Sequence, residues 1–293
     1  MNTKLKILAA FVILIGVGMI GCTPFGANAI PNNPPPTLTS KPRSTPRPSP
    51  CTEIKDAKGV SMCLVPAGKF TMGSNDTGPD HFMDASYPAH PVSLDAFYID
   101  EYEVTNALYK NCVDAGGCSL PGDVSKYNNS QFANHPVVFV DWDQATAYCA
   151  WRGASTDLGP ARLPSEAEWE KAARGSKEDI YPWGNDEPNK DLANYGLNAG
   201  DTTAVGSYES GKSPFGVYDM AGNVWEWVND WYELYPGANP SRNPDFGKIY
   251  RVARGGSWNF DAGYMNVSFR NWGHTDYKGS NYGIRCARSA ASH

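Results

Sequence analysis

Seven cysteines, five histidines and a set of Asn, Asp and Glu residues near glycines could carry covalent or metal chemistry in this 293-residue chain. Setting Cys22 aside leaves Cys51, Cys63, Cys112, Cys118, Cys149 and Cys286. An even number suggests three disulfides made in an oxidising compartment. Cys51–Cys63 and Cys112–Cys118 are natural local pairs. The second would close a loop holding Gly116-Gly117, where the backbone turns without a Cβ penalty. Many other pairings remain open. Metal binding is the rival use, but no Cys-x-x-Cys or clustered Cys/His spacing occurs. The histidines (His81, His90, His135, His274, His293) lack the spacing of an iron-binding facial triad. His90 and His135 each precede a proline and read as turn or edge residues. Ser257 lies in a Gly-Gly-Ser-Trp context, which is no nucleophile elbow.

The elements that must position these groups read as few and short, in an α+β arrangement. Thr105 caps a helix running through Leu108 and Cys112 to Gly116-Gly117. Asp141 and Gln144 form a capping box, and Trp142, Ala145, Tyr148, Cys149 and Trp151 give the following helix an apolar face. A third helix has Pro164 near its start, Glu166 and Glu168 early, and Lys171, Arg174 and Gly175 at its end. That order of charge suits the helix dipole. Residues 92–99 and 137–140 read as strands. Nine tryptophans and sixteen tyrosines supply packing that long elements do not. Irregular chain rich in carbonyls and acidic side chains needs a further organiser. Calcium, with six to eight oxygen ligands, is the natural candidate.

Three stretches carry a resemblance. They are Arg162-Leu163-Pro164-Ser165-Glu166-Ala167-Glu168-Trp169-Glu170, Gly222-Asn223-Val224-Trp225-Glu226-Trp227-Val228 and Arg254-Gly255-Gly256-Ser257-Trp258. Together they resemble the formylglycine-generating enzyme family, also called sulfatase-modifying factors, over about residues 60–288. The resemblance implies an elaborated C-type-lectin-like fold with little regular secondary structure. It implies a Cys149–Cys286 disulfide and two structural calcium sites. The first maps to Asn194, Tyr195, Asp201 and Thr203, the second to Gly222, Asn223, Val224 and Glu226. The other reading makes Asn194 and Asn223 turn residues and pairs Glu226 with an arginine. Enzymes of that family use two cysteines after the Gly-Gly-Ser motif to bind copper. The matching positions here are Phe260 and Met265, which offer no thiolate to a soft metal. No copper is expected, and formylglycine formation by that route is not expected either.

Around the lost pair lies a stretch rich in aromatic, Asn, Ser and Asp residues, a recognition composition. Trp227, Ser257 and Asn281 match residues around the family's groove. Asn266 and Phe269 stand where the family usually carries an arginine and an asparagine. Phe260, Tyr264, Met265, Asn266, Trp272, His274 and Tyr277 complete the candidate ligand face. The pattern also resembles the binding face of lectin-fold proteins diversified by retroelements. The expected function is a non-catalytic domain binding an unknown protein or glycan. The alternative is an oxidoreductase of the formylglycine-generating and non-haem iron superfamily, with divergent chemistry or with catalytic groups supplied by a partner.

The start of the chain sets its expected place. Lys4 and Lys6 precede an apolar run over residues 7–20, short of the roughly 20 residues of a membrane span. Gly21-Cys22 follows, as in a bacterial lipobox. Residues 1–21 read as a lipoprotein signal peptide. Residues 22–50 read as an acylated Cys22 and a tether, with nine prolines among residues 23–50 favouring extended chain. Residues 51–293 read as one domain. The protein is expected to be extracytoplasmic and held to membrane lipid through Cys22. A net charge of −6 argues against nucleic-acid binding.

Overall fold

Each helix begins where a side chain can take up an unpaired backbone N–H. In the computed structural model, which describes residues 51–79, 83–153, 158–238 and 246–290, Thr105 accepts from Leu108 N and starts α1, Asn106–Asp114. Asp141 and Gln144 form a reciprocal capping box at α2, Trp142–Trp151. Ser165 and Glu168 form another at α3, Glu166–Arg174, which stops at Gly175. These caps each satisfy donors that burial would otherwise leave orphaned. The segments 1–21 and 22–50, with Cys22, lie outside the described residues, which all fall within one compact unit, Thr45–His293.

Ten strands form three sheets among the described residues. The first has the order β1 (Glu53–Lys55), β2 (Ser61–Val65), β5 (Phe97–Asp100), β10 (Ala287–Ser289). The second pairs β3 (Gly68–Met72) with β4 (His90–Leu94). The third has the order β8 (Asn271–Gly273), β7 (Arg251–Arg254), β6 (Trp225–Trp231), β9 (Tyr282–Gly283). All ladders are antiparallel except β6–β9. This is an α+β fold with more organised helix and strand than the expected sparse regular structure. Two local expectations change. Residues 92–99 split into β4 and β5 around a break. Residues 137–140 form no strand: only Pro136 makes a bridge, to Thr105, and Phe139 turns left-handed at φ 58°.

The third sheet separates two cores. Side chains alternate across a strand, so Trp225 and Trp227 of β6 join a cluster with Tyr148, Cys149 and Ile284. Val228 and Val252 face the other cluster, with Trp169, Ala172 and Ala173 of α3. The Cys149–Cys286 disulfide ties α2 to the last segment before β10. Cys51–Cys63 and Cys112–Cys118 are also bonded, so every cysteine among the described residues is in a disulfide.

Buried arginine–carboxylate pairs knit the long loops. Arg285 holds Glu226 at 2.7 Å, Arg270 holds Glu166 at 2.7 Å, and Arg152 bridges Asp56 and Asp100 at 2.7 and 2.6 Å. Arg254 adds Glu166 and Glu170, and Arg288 joins Asp56 at 3.0 Å. All these arginines are buried. Removing one partner of such a pair costs about 3–5 kcal/mol because a charge is left uncompensated.

Candidate functional site

Past β7 the chain turns at Gly255-Gly256 and enters the segment that carries the family's thiols. Gly256 has φ +79°, and a Cβ there would meet Met265 Cε at 2.1 Å. The glycine therefore makes room for Met265, which is fully buried. Phe260 and Met265 fall in one apolar cluster with Tyr264, Tyr181 and Ala221. Phe260 stands edge-on to Trp225 at 5.4 Å and to Tyr264 at 4.8 Å. Tyr264 meets Phe269 at 4.9 Å. Phe260 and Met265, at the two family thiol positions, thus share one apolar cluster packed with aromatic rings. Phe260 and Met265 offer no thiolate, so these residues do not fit copper.

A polar triad borders this plug. Ser257 Oγ donates to Asn259 Oδ1 at 2.9 Å. Asn281 Nδ2 donates to Ser257 Oγ at 3.2 Å and to Asn259 Oδ1 at 3.0 Å. Trp225 N donates to Asn281 O at 2.8 Å, which fixes the triad to the start of β6. Trp225 Nε1 is buried without a partner. Asn259 is exposed while Ser257 and Asn281 are buried, so the triad runs from the surface inward. It can position a polar substrate or ligand group beside the aromatic wall.

The structure brings together Ser257, Phe260, Tyr264, Met265 and Asn281 from the expected face. The other five have different places. Trp227 is buried, with Nε1 on Val140 O at 3.1 Å. Asn266 accepts from Ser268 N at 2.9 Å as a turn residue. Trp272 packs on Tyr250 at 4.2 Å, and His274 lies on the same ring at 4.5 Å. Tyr277 is exposed and packs on Tyr282. Trp225 and Asn259 were missed. The signal for Trp225 was period-two spacing to Trp227, which puts both on one side of β6.

The loops expected to hold calcium also meet. Asn194 Nδ2 donates to Asp201 O at 2.8 Å and to Asn223 Oδ1 at 3.2 Å, and Asn194 Oδ1 is buried without a partner. Turned over, that amide would present its oxygen to two others, the kind of set a hard cation takes. Asn194 therefore fits the first site. Asp201 instead turns its carboxylate to Lys126 and Thr202 N. Asn223 Oδ1 accepts from Thr203 N at 2.9 Å, while its Nδ2 donates to Glu103 Oε2 at 2.5 Å. At the second site both Glu226 oxygens are taken, by Arg285 and by Trp169 Nε1 at 2.6 Å. Glu226 follows the arginine-pair reading and does not fit as a ligand. Burial pushes Glu103 well above the usual carboxylate range, aided by Asp219 and Glu226 nearby.

The family profile described as sulfatase-modifying factor enzyme 1-like domain matches residues 50–290. The chain is 33% identical over 270 residues to hercynine oxygenase of Mycolicibacterium smegmatis, covering 78% of this chain and 61% of that protein. It thus spans less than two thirds of that enzyme. The structure of PvdO from Pseudomonas aeruginosa superposes with a TM-score of 0.66 and 30% identity, over 82% of this chain and 98% of that one. Treponema denticola variable protein 1 gives 0.64 and 27%, over 81% and 99%.

Proposed function

Because the chain belongs to the family of sulfatase-modifying factor enzyme 1-like domains, we propose that it is a divergent oxidoreductase of that superfamily, working without the family's thiol pair. The polar triad of Ser257, Asn259 and Asn281 carries the reading. It keeps an oriented hydrogen-bonding site beside the aromatic wall although Phe260 and Met265 replace the cysteines. The likeness to an enzyme named as an oxygenase supports it. Ser257 and Asn281 would orient substrate, and the wall of Trp225, Phe260 and Tyr264 would keep water from the reacting group. The redox-active group would come from a bound metal or a partner subunit.

Oxygen uptake by the full chain tests this, with iron(II) and either a cysteine peptide or hercynine plus a thiol. Uptake above that of the free metal, lost in Ser257→Ala and Asn281→Ala, is the expected result. Uptake equal to free metal in every combination would contradict it. In that case the second reading holds, a non-catalytic domain that displays a ligand face. The packed plug at the thiol positions and the likeness to a variable protein favour that reading.

The placement we propose is extracytoplasmic, with residues 1–21 removed, Cys22 acylated and residues 22–50 serving as a tether for one domain. Three disulfides suit an oxidising compartment. Among the described residues no helix is long and apolar enough to cross a membrane. We read the domain as an elaborated C-type-lectin-like fold, with structural calcium near Asn194 and with no copper or nucleic-acid partner.

A further inference from the structure

The chain from Lys126 to His135 lies against the loop that carries Asn194, Asp201 and Thr203. Val205 N donates to Asn134 O at 2.9 Å, and His135 Nδ1 lies 3.2 Å from Thr202 Oγ1. These contacts set where Lys126 can reach. Its ammonium pairs with the Asp201 carboxylate and lies 5.6 Å from the centre of the Phe132 ring. Thr202 N adds a bond at 2.6 Å to the same carboxylate oxygen. The Lys126 side chain is 19% exposed and that of Asp201 39%, so ions in solution can reach the pair.

Asp201 is the one charged residue of the set expected around Asn194. The other side chain there is a neutral amide, with Asn194 Oδ1 buried and without a partner. The affinity of a calcium site follows the charge its ligands supply. An ammonium resting on Asp201 cancels that charge. Lysine suits the part, because it is a compact point charge on a flexible stem that can swing away. The same loop also holds the candidate site. Gly196 N donates to Phe260 O and Leu197 N to Trp258 O, both at 2.8 Å. Whatever closes the loop at Asp201 thereby steadies the segment that bears Ser257, Asn259 and Phe260.

We propose that Lys126 is a built-in cation that closes loop 194–203 at Asp201 and competes with calcium for that carboxylate. The inference rests on the reading of calcium near Asn194 and assigns its regulation. At low calcium the ammonium supplies the positive charge and the loop keeps its place. Calcium enters only by displacing Lys126, which weakens its apparent affinity.

The test is calorimetric titration of the full chain, stripped with chelator, using calcium chloride. Lys126→Met keeps the stem and removes the charge. It is expected to bind calcium tighter than wild type by about fivefold or more, since a unit charge is removed beside the ion. Lys69→Met makes the same change of net charge at an exposed position in β3, and its affinity should match wild type. Adding Asn194→Ala to Lys126→Met should abolish the gain. A gain below fivefold, an equal gain in Lys69→Met, or a gain that survives Asn194→Ala would each overturn the proposal. Equal calcium binding by wild type and Lys126→Met would leave the calcium reading standing while sinking this one. Binding by Lys126→Met alone would support the competition and contradict calcium in the native chain. No binding by either would overturn both. Should Lys126→Met lose its fold in chelator, circular dichroism decides. Recovery on adding calcium is then expected, and no recovery would contradict the proposal.

Discussion

Asp230 sits at the N-terminus of α3, where its Oδ2 accepts from Glu166 N at 2.7 Å. Burial, then the charge of Glu166, pushes its carboxyl up to about 6. An unfolded aspartate titrates near 3.9. Between those values the folded state holds a proton that the unfolded state has lost, so stability falls as pH rises through this window. The contribution is fully present below about pH 4 and gone above about pH 6. Asp230→Asn keeps an acceptor for Glu166 N and removes the titration. Chemical denaturation should show the variant about 1–2 kcal/mol more stable than wild type at pH 7.5, with the difference vanishing near pH 4. A difference independent of pH would contradict the assignment. Residues with local partners were legible in the sequence: Thr105, Asp141 and Ser165 as caps, and Cys51–Cys63 and Cys112–Cys118 as near neighbours. The arginines were not, because their partners are remote. Arg285 and Glu226 are 59 positions apart, and Arg270 and Glu166 are 104 apart. The left-handed Phe139, which denies residues 137–140 a strand, carried no signal in its residue type.

At the scale of elements, alternation and capping foretold the three helices, while sheet partnership needed three dimensions. Nothing local announces that β9 pairs in parallel with β6, or that β10 joins β5. The candidate site depends on those partnerships, since Asn281 reaches Ser257 only when the segment before β9 lies beside the start of β6. The loops around residues 194–203 and 222–226 meet by the same logic, and they carry the calcium proposal. A cation bound by the folded chain and not by the unfolded one raises the melting temperature. Calcium should therefore raise it by a few degrees over a chelator-treated sample, an order-of-magnitude figure from linkage. Asn194→Ala should abolish the difference. Identical melting curves for wild type with calcium and with chelator would rule out the ion at Asn194.

For the whole molecule, the buried ion pairs explain how a chain with long loops keeps one shape. Six of the paired arginines (Arg152, Arg174, Arg254, Arg270, Arg285 and Arg288) are buried in the domain, and three disulfides add covalent ties. The membrane attachment proposed for Cys22 is checked by the intact mass of membrane-fraction protein. A chain beginning at Cys22 with added acyl mass is expected, and a water-soluble product beginning elsewhere would contradict it. We propose that the family frame persists here while the thiol chemistry is lost with the cysteines at Phe260 and Met265. The direct measurement incubates the full chain with copper, oxygen, reductant and a cysteine-containing sulfatase-type peptide, then follows the peptide by mass. No conversion of the cysteine to an aldehyde is expected. Aldehyde formation that requires the protein would contradict it.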